Sequence, residues 1–99
     1  MNYICDMEFE WDPDKSDRCY EERGFDFAHA AQGFFDPDRI VIKDNRYDYG
    51  ENRYLMISKI QERVFVVIFT PRDNAIRIIS ARKANQREVK QYETTSHDD

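Results

Sequence analysis

Long apolar runs are missing from this 99-residue chain. The longest, Val64–Phe69, is far shorter than the ~18–20 residues that a membrane-crossing helix needs. Glycine and proline number only three each, and no segment is repetitive or of low complexity, so neither a linker nor extended disorder is expected. The two cysteines, Cys5 and Cys19, are too few for a disulfide framework and lack Cys-x-x-Cys spacing; they read as reduced, partly buried thiols. The two histidines, His29 and His97, lie far apart, which argues against a metal site, and His29 reads as a packing or surface residue. No glycine-rich phosphate loop and no Ser/His/Asp set is present, and no cofactor is expected. Glu21 and Glu22 are adjacent and point to different sides of a helix, so they do not make an acid–base pair. The acidic start (Asp6, Glu8, Glu10, Asp12) lacks the apolar core of a signal peptide, so a cytoplasmic protein with no membrane association is expected.

What is present is charge, unevenly placed. The net charge is −5. Residues 1–50 hold 13 acids and 6 bases, whereas residues 39–90 hold 12 bases and 6 acids. A local basic field can attract a polyanion even when the whole chain is acidic. Ten of the 15 bases are arginine, whose planar fork suits phosphate. The competing reading is a solvated surface laced with salt bridges.

The length allows one domain, residues 1–99, with 94–99 as a frayed tail. A short strand around Glu8–Trp11 precedes Asp12-Pro13, a helix start, and the helix runs from Pro13 to Arg23 with Gly24 as its stop. Phe27, Ala30, Ala31 and Phe34 share one face of a second helix, which Asp36-Pro37-Asp38 breaks. Strands are expected over Arg39–Lys43, Arg53–Ile60, Val64–Thr70 and Ala75–Ser80. Residues 60–63 make a hairpin and Pro71–Asn74 a turn. Val64–Phe69 is continuously apolar and is expected at the centre of the sheet, covered on both faces. From Ala81 onward (Ala81, Ala84, Glu88, Gln91, Tyr92) the spacing predicts a C-terminal helix that frays at Thr94. The fold class is therefore α+β: two N-terminal helices, a central antiparallel sheet and a C-terminal helix.

The candidate site is basic. Asp44, Arg46, Asp48, Gly50, Glu51 and Arg53 surround a loop, followed by Arg77 inside an apolar strand and then Arg82, Lys83 and Tyr92. Arg77 interrupts Ile76, Ile78 and Ile79. An arginine there is either salt-bridged, with Glu51 a candidate partner, or aimed at an anion.

Phe9-Glu10-Trp11-Asp12-Pro13-x-Lys15 resembles the opening motif of the BrnT family of bacterial toxins. Gly24-Phe25-x-Phe27, Asp44-x-Arg46-x-Asp48-x-Gly50-Glu51-x-Arg53 and Ile76-Arg77-Ile78-Ile79-Ser80-Ala81-Arg82-Lys83-Ala84, followed by Glu88 and Tyr92-Glu93, resemble its later blocks. The chain departs from the pattern at Cys19, Arg23, Ala28 and His29. The resemblance implies a RelE-like fold and a type II toxin–antitoxin toxin that cleaves RNA without a metal and inhibits translation. It also implies a ribbon-helix-helix antitoxin as partner, a 2:2 heterotetramer, and contact with DNA only through that antitoxin. In such a mechanism the substrate's 2′-OH attacks the adjacent phosphate. Arg46, Arg53, Arg77 and Arg82 would stabilise the charge that develops. Glu51 would act as base or orient an arginine. Tyr92 would stack, donate a proton or simply pack, and Trp11 would be core or a stacking platform. Lys15, Lys43 and Lys83 would contact the RNA backbone. The alternative is a non-catalytic RNA- or protein-binding module on the same fold.

Overall fold

Asp12 and Pro13 start the first helix as their chemistry predicts. In the computed structural model, which describes residues 8–46 and 50–96, the Asp12 carboxylate accepts the Asp14 amide hydrogen at 3.0 Å. Helix α1 (Pro13–Arg23) closes on Gly24, whose φ of +86° is the left-handed conformation a glycine adopts without strain. Cys5, Asp48 and His97 lie outside the described residues. Cys19 is buried, and its thiol donates to the Ala81 carbonyl.

The second helix is shorter than its apolar spacing suggests. Helix α2 (Phe27–Ala31) tightens into a 3₁₀ turn over Gln32–Phe35. Phe27, Ala30 and Ala31 are buried as expected, and Phe34 still reaches the core, edge-on to Phe69 at 4.9 Å. The tightening brings Gly33 against Ser58 and Met56, a distance that a residue without Cβ permits. It also delivers Asp36 to the sheet, where its carboxylate accepts the Lys59 amide at 2.8 Å.

Four further strands follow: β2 (Ile40–Lys43), β3 (Tyr54–Ile60), β4 (Arg63–Arg72) and β5 (Ala75–Lys83). They pair antiparallel in succession. The β3–β4 turn carries Gln61 at φ +58° and the β4–β5 turn Asp73 at φ +50°. Strand β1 (Glu8–Trp11) joins the β5 edge in parallel, so the sheet order is β1-β5-β4-β3-β2 and the sheet is mixed rather than wholly antiparallel. The parallel pair arises because α1 and α2 carry the chain across one face before the hairpins begin, making β1–β5 the longest-range pairing in the fold.

Strand β4 is central, and its apolar run is buried on both faces as expected. Phe65, Val67 and Phe69 pack with Phe25, Phe27, Met56 and Ile78 under α1 and α2. Trp11 packs against this core too, which decides for its core role. Val64 and Val66 pack on the other face with Ile57 and Tyr92.

The start of the last helix corrects the sequence reading. Ala81, Arg82 and Lys83 belong to β5, Ala81 is 4% exposed in the core, and the Ala84 amide still donates to the Val64 carbonyl at 3.0 Å. Helix α3 (Gln86–Ser96) begins only after Asn85, and it extends past Thr94. The Asn85 side chain accepts the Glu88 amide at 2.8 Å, and the Glu88 carboxylate accepts the Asn85 amide at 2.9 Å. This reciprocal capping box fixes where the helix starts. Among the described residues no helix is long and apolar enough to cross a membrane.

Candidate functional site

Side chains alternate across a strand, so the register assigns the arginines to a face. Arg77 stands opposite Thr70 and Arg82 opposite Val66, and Val66 packs under α3. Arg72 shares the parity of Thr70, and Glu10 of β1 stands beside Arg77. All of them lie on the α3 face of the sheet. Helix α3 covers only the Ile57–Val64–Val66 end of that face.

At the other end the arginines alternate with carboxylates. Glu51 accepts from Arg53 Nε at 3.2 Å and from Arg72 Nη2 at 3.4 Å. Glu10 accepts from Arg77 Nη1 at 3.2 Å and pairs with Arg72 Nη1 at 4.0 Å. Arg53, Arg72 and Arg77 are thus joined through two acids. The Thr70 hydroxyl donates to the Asn52 carbonyl at 2.6 Å and pins the Glu51–Arg53 segment against β4. The partner of Arg77 is Glu10, not Glu51, which corrects the pairing suggested from sequence. The pair is half-exposed, at 32% for the arginine and 41% for the acid.

Two further pairs are bidentate. Asp44, whose side chain is 2% exposed, accepts from Arg46 Nε at 2.9 Å and Nη2 at 3.0 Å. Glu88 accepts from Arg82 Nη1 at 2.8 Å and Nη2 at 2.7 Å. Arg46 comes near enough to Arg82 for their charges to repel. Five arginines, each held by an acid, thus stand in two groups: Arg53, Arg72 and Arg77 at the uncovered end, and Arg82 with Arg46 near the start of α3. A guanidinium has five N–H donors, so one paired through two of them keeps three to offer to another anion.

Glu51 and Glu88 are held ionised. The Arg53 hydrogen bond is the main cause keeping the Glu51 carboxyl below the usual carboxylate range. The Arg82 hydrogen bond does the same for Glu88, against the effect of its burial. Glu88 in turn raises Arg82, with burial working the other way.

Tyr92 is placed elsewhere. It is 5% exposed, and its hydroxyl donates to Asp36 Oδ2 at 2.6 Å near the β3–β4 hairpin. Burial, then that hydrogen bond, push its pKa above the ordinary tyrosine range. Burial opposes the Asp36 carboxylate, but the Tyr92 hydroxyl and the Lys59 and Asp38 amides outweigh it and keep Asp36 below the usual range. Tyr92 thus ties α3 to the turn that follows the 3₁₀ segment, which is the packing alternative.

The three lysines do not join the arginines. Lys15 lines a cleft with Arg18 and Cys19 between α1 and β5. Lys43 stands on β2 opposite Tyr54, whose ring stacks on Phe69 on the α1–α2 face. Lys83 shares that face with Phe65. Sequence reasoning missed Arg72, which it placed in a turn, and Glu10, which it did not connect with Arg77. The alternation Glu8-Phe9-Glu10-Trp11 does show that Glu10 points away from the core. Among the described residues no group of three or more His, Cys, Asp or Glu side chains is arranged to hold a metal ion.

A model of the ribonuclease toxin BrnT family of type II toxin–antitoxin systems matches residues 11–88. That span contains all five arginines, while Glu10 and Tyr92 fall outside it. No curated protein matches the chain.

Proposed function

The chain belongs to the BrnT family of ribonuclease toxins of type II toxin–antitoxin systems, and from that premise we propose that it is a RelE-like, metal-independent endoribonuclease acting in the cytoplasm through the arginines of its α3 face. The observation that carries this reading is a series of acid-oriented arginines on one side of the sheet: Arg53, Arg72 and Arg77 at the end that α3 leaves uncovered, and Arg82, with Arg46 near it, where α3 begins. The substrate's 2′-OH attacks the neighbouring phosphate and the 5′-oxygen leaves, giving a 2′,3′-cyclic phosphate and a 5′-OH. Negative charge grows on the phosphoryl oxygens as the attacking bond forms. Arg46, Arg53, Arg77 and Arg82, with Arg72, are the groups to receive it. Glu51 and Glu10 are positioning residues. A carboxylate held ionised and below its usual range is a weak base, so orientation is the better role for Glu51. Tyr92 is not assigned a chemical role.

The partner in this reading is a ribbon-helix-helix antitoxin. Its acidic side chains cover the arginine face in a 2:2 complex, and it alone touches DNA. Expressed without that partner, the toxin should arrest growth and depress protein synthesis, measured by incorporation of labelled amino acid. Co-expression of the antitoxin should restore both. Normal synthesis in cells that hold abundant folded toxin would reject the proposal.

A further inference from the structure

The α1–α2 face carries a second feature that cleavage at the arginines does not use. Phe25, His29 and Phe65 form an aromatic group, with Phe25 and Phe65 at 4.8 Å and His29 and Phe65 at 5.5 Å, both edge-to-face. Above it opens a pocket of about 390 Å³, rimmed by Glu62, Arg63 and Lys83. That volume lies within the roughly 300–1,000 Å³ typical of small-molecule sites. Phe25 and Phe65 are buried, whereas His29 is only half-buried and is the accessible ring.

The cations at this pocket differ from those on the α3 face. Every arginine there is held by a carboxylate, but Arg63 and Lys83 are exposed, and neither side chain has an ion pair or hydrogen bond among the described residues. Their places follow from the register. Lys83 stands opposite Phe65 on β5, and Arg63 is two residues before Phe65 on β4, so both flank the aromatic floor. Two cations without carboxylate partners beside the accessible His29 ring suit a phosphate joined to a planar base. Glu62 on the rim offers an acceptor to an exocyclic amine of a base, and it disfavours an acidic peptide.

The pocket also connects with the arginine face. Strand β1 pairs with β5 only over Ala75–Ile78, so from Ile79 to Lys83 that edge has no strand partner among the described residues. Arg82 and Lys83 are consecutive and project to opposite faces of the sheet. A single strand of RNA passing over this open edge meets Arg82 on one side and Lys83 on the other.

We propose that the pocket floored by Phe25, His29 and Phe65 is a nucleotide subsite of the substrate RNA, with an unpaired base against His29 and its phosphate on Arg63 and Lys83. The proposal rests on the RNA-cleaving reading and extends it: the enzyme grips substrate on both faces of the sheet. The test uses a fluorescent single-stranded RNA octanucleotide in 2′-O-methyl form, which lacks the attacking hydroxyl, and reads Kd by anisotropy. Arg63→Ala/Lys83→Ala, a change of two exposed side chains, should raise Kd roughly tenfold, and His29→Ala should act in the same direction. An unchanged Kd in the double variant would overturn the subsite whether or not the wild type cleaves RNA. Failure of the wild type to cleave, with pocket-dependent binding intact, would count against the catalytic reading alone. Unchanged RNA affinity with weakened antitoxin binding would give the pocket to a protein partner and overturn the proposal equally.

Discussion

Arg77→Ala is expected to slow RNA cleavage about 100-fold, the usual effect of removing one donor from a site that stabilises developing charge, while the protein melts close to the wild-type temperature. The geometry supplies the second half of this expectation. Arg77 and Glu10 meet at 3.2 Å, but both side chains stay substantially exposed, at 32% and 41%. Pairs of that kind contribute roughly 0–1 kcal/mol, and in a domain of this size about 1 kcal/mol moves the melting temperature by roughly 4–8 °C. A structural arginine sealed against a buried acid would behave otherwise, because its loss costs roughly 3–5 kcal/mol. Arg77→Lys keeps the charge but not the fork, so it should fall between wild type and alanine in rate. Calorimetry and single-turnover cleavage on the same preparations separate the two cases. A collapse of melting temperature parallel to the loss of rate would show that Arg77 serves folding.

Gly33→Ala should destabilise the protein by overpacking its core. A Cβ at Gly33 would run into Ser58 Oγ and approach Met56 Cε to 3.1 Å. Ser58 and Met56 are both 0% exposed, so neither has room to retreat. Forcing atoms into a packed core costs about 1–3 kcal/mol, which exceeds the propensity gain of about 1 kcal/mol that alanine brings to a helical position. Ser58 gives an internal control. Its hydroxyl is buried without a hydrogen-bond partner among the described residues, so Ser58→Ala should be neutral or mildly stabilising. In that background the penalty of Gly33→Ala should shrink, since the hydroxyl it would strike is gone. Urea unfolding of the four proteins closes the cycle. Equal penalties in both backgrounds would mean that the clash lies elsewhere.

Local chemistry made much of the architecture legible. Asp12-Pro13 and Gly24 mark the ends of α1 without reference to any partner, and the apolar run Val64–Phe69 marks the central strand. The misreadings have physical causes. Ala81, Ala84 and Glu88 fall at helical spacing, but backbone pairing with β4 holds Ala81 in the sheet, and the Asn85–Glu88 box delays the helix. That box is itself a sequence signal. Pro71-Arg72 has turn composition, yet both residues lie in β4 opposite Ile76 and Ala75, which hid Arg72 from the site. The pairing of Arg77 with Glu10 depends on β1 docking in parallel 67 residues away in the chain, and no local pattern encodes that. Arg46, Arg53 and Arg82 could be picked out by type and spacing, but that Lys83 faces away from them follows only from the register.

The central claim is that arginines, not a metal, carry the charge of RNA cleavage by the substrate's own 2′-OH. The most direct measurement is the chemistry of the product ends when purified toxin, freed of antitoxin, cuts a synthetic RNA in excess EDTA. Cleavage should persist and leave a 2′,3′-cyclic phosphate upstream and a 5′-OH downstream, with no cut at a position carrying a 2′-deoxy substitution. Cleavage abolished by EDTA, or products ending in 3′-OH and 5′-phosphate, would contradict it.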